Sequence, residues 1–334
     1  MKKRVTILGD GGWGTALGLV LLQKGCRVRI WGPFPEYIAR IQREHENPLY
    51  LPGVPLPSTL HWTADRAAAM QEAELLIVAI PSKYYGDTLA TFAGLLPAHC
   101  PVISASKGLD PATRRRLTEV AAERLHSASL AVLSGPSHAE EVARGMPTAV
   151  VLACADQALA ARLQTDLKTP QFRVYTAADV AGVELGGALK NVMALAVGVS
   201  DGLGFGDNTR AALITRGLAE ISRLGCALGA CPETFAGLSG MGDLIATCTS
   251  RLSRNRAVGE RLGRGESIAQ IVESMPQVAE GVTTCGSVRA LAAALGVSAP
   301  ITEEIYALMQ GAKNPQEAVQ DLLNRNARPE RDEA

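Results

Sequence analysis

The sequence predicts an α/β protein: an N-terminal Rossmann-type domain with a parallel sheet, residues 1–178, followed by an all-helical domain, residues 179–325. Three observations predict it. Short apolar, β-branched runs alternate with longer helical patterns through the first half, as parallel strands joined by crossover helices do. A glycine-rich motif stands directly after the first of those runs. From about Ala177 the strand pattern stops, and Ala-, Leu-, Val- and Gly-rich segments at helical spacing take over.

Strands are expected at Arg4–Leu8, Val28–Trp31, Leu75–Ala79, Val102–Ser104, Leu130–Leu133 and Ala149–Ala153, with a helix in each larger gap. The stretch Asn47 to Pro57 carries four prolines, which remove backbone donors and predict a surface excursion that interrupts the alternation. Ala178-Asp179 is suited to start a helix running through Lys190 to about Val199. Residues 326–334 contain nothing to bury and are expected to fray.

The bulk properties exclude several classes. The chain has 334 residues, 47% apolar and 20% charged, enough for two domains with cores. Lys plus Arg equals Asp plus Glu at 33 each, so no net positive field exists to hold nucleic acid or an anionic membrane. Seven scattered cysteines without a Cys-x-x-Cys pair suit a reducing cytoplasm and no structural metal. The apolar run after Met1-Lys2-Lys3-Arg4 ends at Leu8, too short for a secretory signal. The best candidate for a membrane span, around Val192 to Val199, has Lys190 and Asp201 at its ends.

Gly9-Asp10-Gly11-Gly12-Trp13-Gly14 fits Gly-x-Gly-x-x-Gly between a strand and the expected helix Trp13 to Lys24. Gly9 permits the tight turn, Gly11 lets a pyrophosphate approach the helix N-terminus, and Gly14 allows close helix–strand packing. The pattern predicts a dinucleotide, NAD(H) or NADP(H). The choice between them stays open, because after the second strand the chain reads Trp31-Gly32-Pro33-Phe34, with neither the acid of NAD sites nor the Arg of NADP sites.

Polar residues interrupt the helical half at three places. Lys190-Asn191 lies inside an apolar helix, where burial would lower the lysine's pKa and fit it for proton transfer; a snorkelling lysine is the ordinary alternative. Asp243 follows a glycine-rich turn and is otherwise read as a helix cap. Ser253-Arg254-Asn255 opens a helix with donors suited to a phosphate, or is simply a solvated basic helix start. In the first half, Lys107 and Ser134–His138 follow strands at the sheet edge where open α/β proteins bind ligands, and His138 is an acid/base suspect on chemistry alone.

Together these segments resemble bacterial glycerol-3-phosphate dehydrogenases over nearly the whole chain. The matching stretches are Gly9–Leu17 (GDGGWGTAL), Tyr50–Pro55 (YLPGVP), Ser106–Leu109 (SKGL), Ser134–Ser137 (SGPS) and Gly182–Asn191 (GVELGGALKN). Ala211–Leu224 (AALITRGLAEISRL), Gly240–Leu244 (GMGDL), Ser253–Arg256 (SRNR) and Pro300–Tyr306 (PITEEIY) continue the series in order. The resemblance implies that Lys190 exchanges the proton at the C2 oxygen while Asp243 positions it. Ser253, Arg254 and Asn255 would bind the substrate phosphate, and Lys107, Gly135 and Ser137 would complete the polyol site. Gly12, Trp13, Lys107, Ala139, Arg254, Val278 and Glu280 would lie along the cofactor, beside Gly9, Gly11, Gly14 and Pro33. It also implies that His138 is not catalytic. Relatives more often carry Ala-Gly-Ser where this chain has Asp10-Gly11-Gly12, and Arg or His where it has Pro33.

The implied reaction interconverts dihydroxyacetone phosphate and sn-glycerol 3-phosphate, serving glycerophospholipid synthesis, with a homodimer expected from so apolar a helical half. The nearest rival is a ketopantoate-type or 3-hydroxyacid reductase, whose substrates end in a carboxylate. A dinucleotide sensor without turnover is the rival from another class.

Overall fold

A computed structural model of the chain describes residues 2–126, 129–275, 279–326 and 329–330, so Val278 and most of the tail expected to fray lie outside the described residues. Eight strands form one sheet: β1 (Arg4–Leu8), β2 (Arg27–Trp31), β5 (His61–Thr63), β6 (Leu75–Val78), β7 (Val102–Ser104), β8 (Leu130–Ser134), β9 (Thr148–Ala153) and β10 (Phe172–Ala177). Their order is β10-β9-β8-β7-β6-β1-β2-β5. The run β5-β2-β1-β6-β7-β8 is the doubly wound order in which the chain reverses direction between β1 and β6, leaving a crevice at their carboxyl ends. Val5 and Ile7 pack into the core on one face of the sheet and Leu8 and Leu76 on the other, so strands buried on both sides read as continuous apolar runs.

Six strands fall where the sequence predicts them. Two edge strands, β5 and β10, were not expected, because three residues at one edge and alternating exposure at the other give weak apolar signals. The sheet is also not wholly parallel: β9 runs antiparallel to β8. The only helix between them is Ala139–Ala143. With so short a helix the connection, residues 135–147, is near the lower limit of about a dozen residues that a parallel crossover needs, and the chain turns straight back.

The proline-rich stretch is likewise more ordered than a surface excursion. Glu46–Asn47 (β3) and Leu51–Pro55 (β4) pair as an antiparallel ribbon, and Leu51, Val54 and Leu56 are buried. Asn47 is fully buried and explains the docking: its Nδ2 donates to the Asp10 carbonyl at 2.7 Å and to Thr15 Oγ1 at 2.9 Å. The ribbon is pinned across the glycine-rich turn.

Every described element after β10 is helical. The central helix, Val180–Gly202, starts at Asp179, whose side chain accepts from the Gly182 N–H. It is as long and apolar as a membrane span, which the sequence reading did not anticipate, but Gly182 through Ser200 are buried inside the protein. Helices Asp207–Ala227, Asp243–Thr249, Arg254–Gly263 and Glu280–Leu295 pack around it, and a helix apolar on all sides requires such a sheath. Against Arg254–Gly263 the approach is backbone to backbone: a Cβ on Gly198 would lie 2.9 Å from Gly259 Cα, and one on Gly202 2.9 Å from Gly263 Cα. Overpacking here would cost about 1–3 kcal/mol and displace the start of helix Arg254–Gly263.

Candidate active site

The glycine-rich turn closes between β1 and the helix Gly12–Gln23. Gly9 sits at φ +123°, and a Cβ there would come within 2.8 Å of the Ala79 carbonyl carbon at the end of β6. Only glycine satisfies both demands. Gly11 caps the helix without any side-chain bond to its first N–H groups, and a Cβ on it would meet open space. That combination is an open, donor-rich helix N-terminus of the kind that takes a pyrophosphate. Gly14 packs on the Gly9 carbonyl, and a Cβ on Gly12 would come within 2.5 Å of the Tyr50 carbonyl oxygen. Trp13 donates from Nε1 to the Ala105 carbonyl at 3.2 Å, aligning the turn with the end of β7.

At the carboxyl ends of β7 and β8 the chain presents Lys107 and the Gly135–Ser137 turn. Lys107 Nζ donates to the Gly135 carbonyl at 2.9 Å, Ser137 Oγ at 3.3 Å and Asp243 Oδ2 at 2.7 Å. Asp243 is the first residue of helix Asp243–Thr249 and is buried; its Oδ1 accepts from Lys190 Nζ. Lys190 also donates to Thr247 Oγ1 at 2.6 Å, and Thr247 in turn donates to the Asp243 carbonyl at 2.7 Å. The capping and snorkelling readings of Asp243 and Lys190 therefore fail: one carboxylate joins a lysine of the sheet to a lysine of the central helix.

Glycines bring the central helix this close. A Cβ on Gly186 would lie 2.5 Å from the Ser239 carbonyl oxygen, and one on Gly187 would strike Ser134 Oγ. One turn later, Lys190 emerges beside Asp243. Its neighbour Asn191 faces another helix, accepting from Asn255 Nδ2 at 3.0 Å, while Asn255 Oδ1 accepts from the Gly281 N–H at 2.9 Å. Successive residues on the helix thus fix both the buried Lys190–Asp243 pair and the start of helix Arg254–Gly263.

The charges are set by burial first. Loss of water lowers the Lys190 pKa to about 7; Asp243 opposes the drop and Lys107 adds to it. Burial pushes the Asp243 carboxyl up, but Lys107 and Lys190 outweigh it and hold the group below the ordinary carboxylate range. A lysine poised near neutrality beside a fixed anion can give a proton to a nascent alkoxide or take one from a hydroxyl.

The remaining expected residues divide by location. Arg254 is exposed at the first turn of its helix, and Ser253 is its N-cap, accepting from the Arg256 N–H at 3.2 Å. Glu280 opens helix Glu280–Leu295 and accepts from the Ser82 N–H at 3.2 Å and from Ser82 Oγ, tying the helical half to the start of helix Ser82–Ala90 after β6. Burial raises its pKa, opposed by Ser82 and Arg254. Ala139 begins the helix facing Gly12, its Cβ 3.4 Å from where a Gly12 Cβ would stand. Pro33 is exposed beyond β2. His138 Nε2 lies 3.3 Å from the Ala246 carbonyl and is not part of the Lys107–Asp243–Lys190 network. Sequence reasoning missed Thr247, although its spacing of four from Asp243 places both on one helical face. It also missed Asn47, which no local pattern marks.

Family models described as the N-terminus and the C-terminus of NAD-dependent glycerol-3-phosphate dehydrogenase match residues 4–160 and 179–320. The chain is 49% identical over 325 residues to a glycerol-3-phosphate dehydrogenase [NAD(P)+] of Moorella thermoacetica, covering 97% of each. It is 47% identical to one of Geobacillus kaustophilus, covering 99% of this chain and 97% of that one. A crystal structure of glycerol-3-phosphate dehydrogenase from Coxiella burnetii superposes with a TM-score of 0.94 at 40% identity, covering 97% of this chain and 99% of the other. A ketopantoate reductase from Ralstonia eutropha shares the fold at TM-score 0.61 and 16% identity.

Proposed function

The chain belongs to the NAD-dependent glycerol-3-phosphate dehydrogenase family, and we propose that it catalyses reversible reduction of dihydroxyacetone phosphate to sn-glycerol 3-phosphate. The observation that carries the reading is the buried Lys190, held by Asp243 across the cleft from Lys107. The nicotinamide, when bound, supplies or takes the hydride at C2. Lys190 gives its proton to the C2 oxygen during reduction and recovers it during oxidation. Asp243 holds the lysine in place and keeps part of its basicity; Lys107 and Ser137, joined through Gly135, line the polyol side.

The phosphate end belongs to Arg254 and Asn255 at a helix N-terminus capped by Ser253, where guanidinium, amide and helix dipole all favour an anion. Gly11 and Gly12 would hold the cofactor's pyrophosphate, with Gly9 and Gly14 shaping the turn, and Trp13, Ala139, Lys107, Arg254 and Glu280 would bind the rest of the cofactor. Pro33 stands at the adenosine end, and Val278 is assigned by resemblance alone. In this scheme residues 1–178 bind the dinucleotide and residues 179–325 supply the proton and the phosphate site.

The assignment extends to a cytoplasmic homodimer that feeds glycerophospholipid synthesis and uses neither nucleic acid nor membrane. The unpaired cysteines suit a reducing compartment, and light scattering of the purified protein tests the dimer.

Oxidation of NADH or NADPH that requires dihydroxyacetone phosphate, followed by absorbance, is the test. Folded protein that binds a cofactor but reduces only carboxylate-terminated keto acids, or nothing, overturns the substrate assignment. Arg254→Ala is expected to raise KM for the triose phosphate about 10–100-fold, the worth of a charged hydrogen bond, with kcat changed less.

A further inference from the structure

The end of β2, where dinucleotide folds ordinarily carry an acid for the adenosine ribose, is Gly32 in this chain. The structure shows what fills the space. Gly9 N–H donates to the Trp31 carbonyl at 2.9 Å, which brings the next residue of the turn, Asp10, alongside Gly32. A Cβ built on Gly32 would lie 2.8 Å from Asp10 Cβ, 2.6 Å from its Cγ and closer still to Oδ2. The Asp10 carboxylate therefore occupies the position that a side chain on residue 32 would take.

The carboxylate is aimed and uncompensated. Asn47 Nδ2 holds the Asp10 carbonyl at 2.7 Å, so the backbone cannot swing to release the side chain. Oδ2 is buried and has no hydrogen-bond partner. Burial raises the Asp10 pKa to about 6, opposed by a backbone N–H and by no lysine or arginine. Tyr37 and Tyr50, the titratable neighbours from the helix Pro35–Glu44 and from the ribbon, are themselves pushed up partly by Asp10. Arg40, on the same helix as Tyr37, is engaged with Glu44. A buried polar atom left unpaired is costly and points to a partner that arrives from outside the protein.

We propose that Asp10 is the cofactor-specificity residue: it stands in for the missing acid at the end of β2, accepting hydrogen bonds from the adenosine ribose of NAD and repelling the 2′-phosphate of NADP. This inference rests on the dinucleotide reading of the glycine-rich turn. It explains the pairing of Asp10 with Gly32, because the carboxylate fits only where residue 32 has no side chain. It also gives Pro33 no part in the choice, since a hydrocarbon ring has nothing to offer a hydroxyl or a phosphate. Specificity here arises from an unfavourable charge against the wrong ligand as much as from attraction to the right one.

The test is equilibrium binding of NADH, NADPH, adenosine 5′-monophosphate and adenosine 2′,5′-bisphosphate to wild type, Asp10→Asn and Asp10→Ser, with thermal melts to establish folding. Wild type is expected to bind NADH at least 10-fold tighter than NADPH and to reject the 2′,5′-bisphosphate in the same proportion. Both variants should narrow each gap by about 10-fold or more, chiefly through tighter binding of the 2′-phosphorylated ligand. Equal affinities in wild type, tighter NADPH, or a gap that survives both folded variants would overturn the proposal. Failure of folded wild type to bind any of the four ligands overturns it too, along with the dinucleotide reading. Selective NADH binding without triose-phosphate turnover would instead sink the substrate assignment and leave this inference standing.

Discussion

Two of the buried carboxylates in the helical half, Asp243 and Glu220, differ in the groups that meet them. Asp243 lies between the ammonium groups of Lys107 and Lys190. Glu220, on helix Asp207–Ala227, accepts from the Ile301 N–H at 2.9 Å, the Thr302 N–H at 3.0 Å and Thr302 Oγ1 at 2.6 Å, all neutral donors at the start of helix Pro300–Met309. Burial raises the Glu220 pKa, and its three donors, with a smaller contribution from Arg223, only partly oppose the rise, whereas the two lysines hydrogen-bonded to Asp243 reverse it there. Neutral donors make a buried acid into a helix clamp. Cations brought from two different domains of the fold keep it charged, and a charged acid beside a near-neutral lysine is equipped for chemistry.

The comparison breaks first at Lys190. Lys190→Ala is expected to lower kcat by about 10³-fold, within the usual range for losing a general acid, while KM for the triose phosphate changes by no more than about 3-fold. A variant that keeps kcat and loses KM would make the cluster a binding device. The next largest effect belongs to Asp243→Asn, with kcat expected to fall about 10²-fold, because the lysine loses both its anchor and the charge that sustains its basicity.

The pH profile sharpens the same point. In the proposed mechanism reduction uses the ammonium form of Lys190, so kcat/KM in that direction should fall as pH rises through about 7. Oxidation needs the free amine and should rise across the same window. In Asp243→Asn the anion that opposes the lowered pKa is gone, and both limbs should move to lower pH. Limbs that stay in place would mean another group titrates. At Glu220 the expectation is the reverse in kind: Glu220→Ala strands three donors and should cost about 3 kcal/mol of stability, read by denaturant unfolding, with kcat close to wild type.

The same contrast explains what the sequence disclosed. Six strands, the glycine-rich turn and the start of the central helix at Asp179 were legible because periodicity, glycines and a cap are local signals. The residues Lys190, Asp243 and Lys107 were legible as isolated polar interruptions. Nothing local joined them, since the bonds connecting them span 53 and 136 residues. The antiparallel β9 was hidden because direction depends on the path the connection takes, not on strand composition. Asn47 was hidden among prolines, and its role appears only when the ribbon is laid across the turn. Asp10 was visible as a departure from the family pattern, but its meaning required the space above Gly32.

The smallest expected effect tests whether the cluster is a pair or a triad. Thr247 accepts a hydrogen bond from Lys190 at 2.6 Å while donating to the Asp243 carbonyl at 2.7 Å, so its hydroxyl favours the charged form of the lysine. Thr247→Val preserves shape and removes that acceptor. The pH limb of reduction should then shift to lower pH, in the direction of Asp243→Asn but by less, and kcat near neutral pH should fall about 3–10-fold, the worth of one hydrogen bond. Because valine keeps the packing, the melting temperature should hold close to wild type. A loss of stability with an unmoved pH profile would place Thr247 with Glu220, as part of the frame, and reduce the catalytic cluster to its three charges.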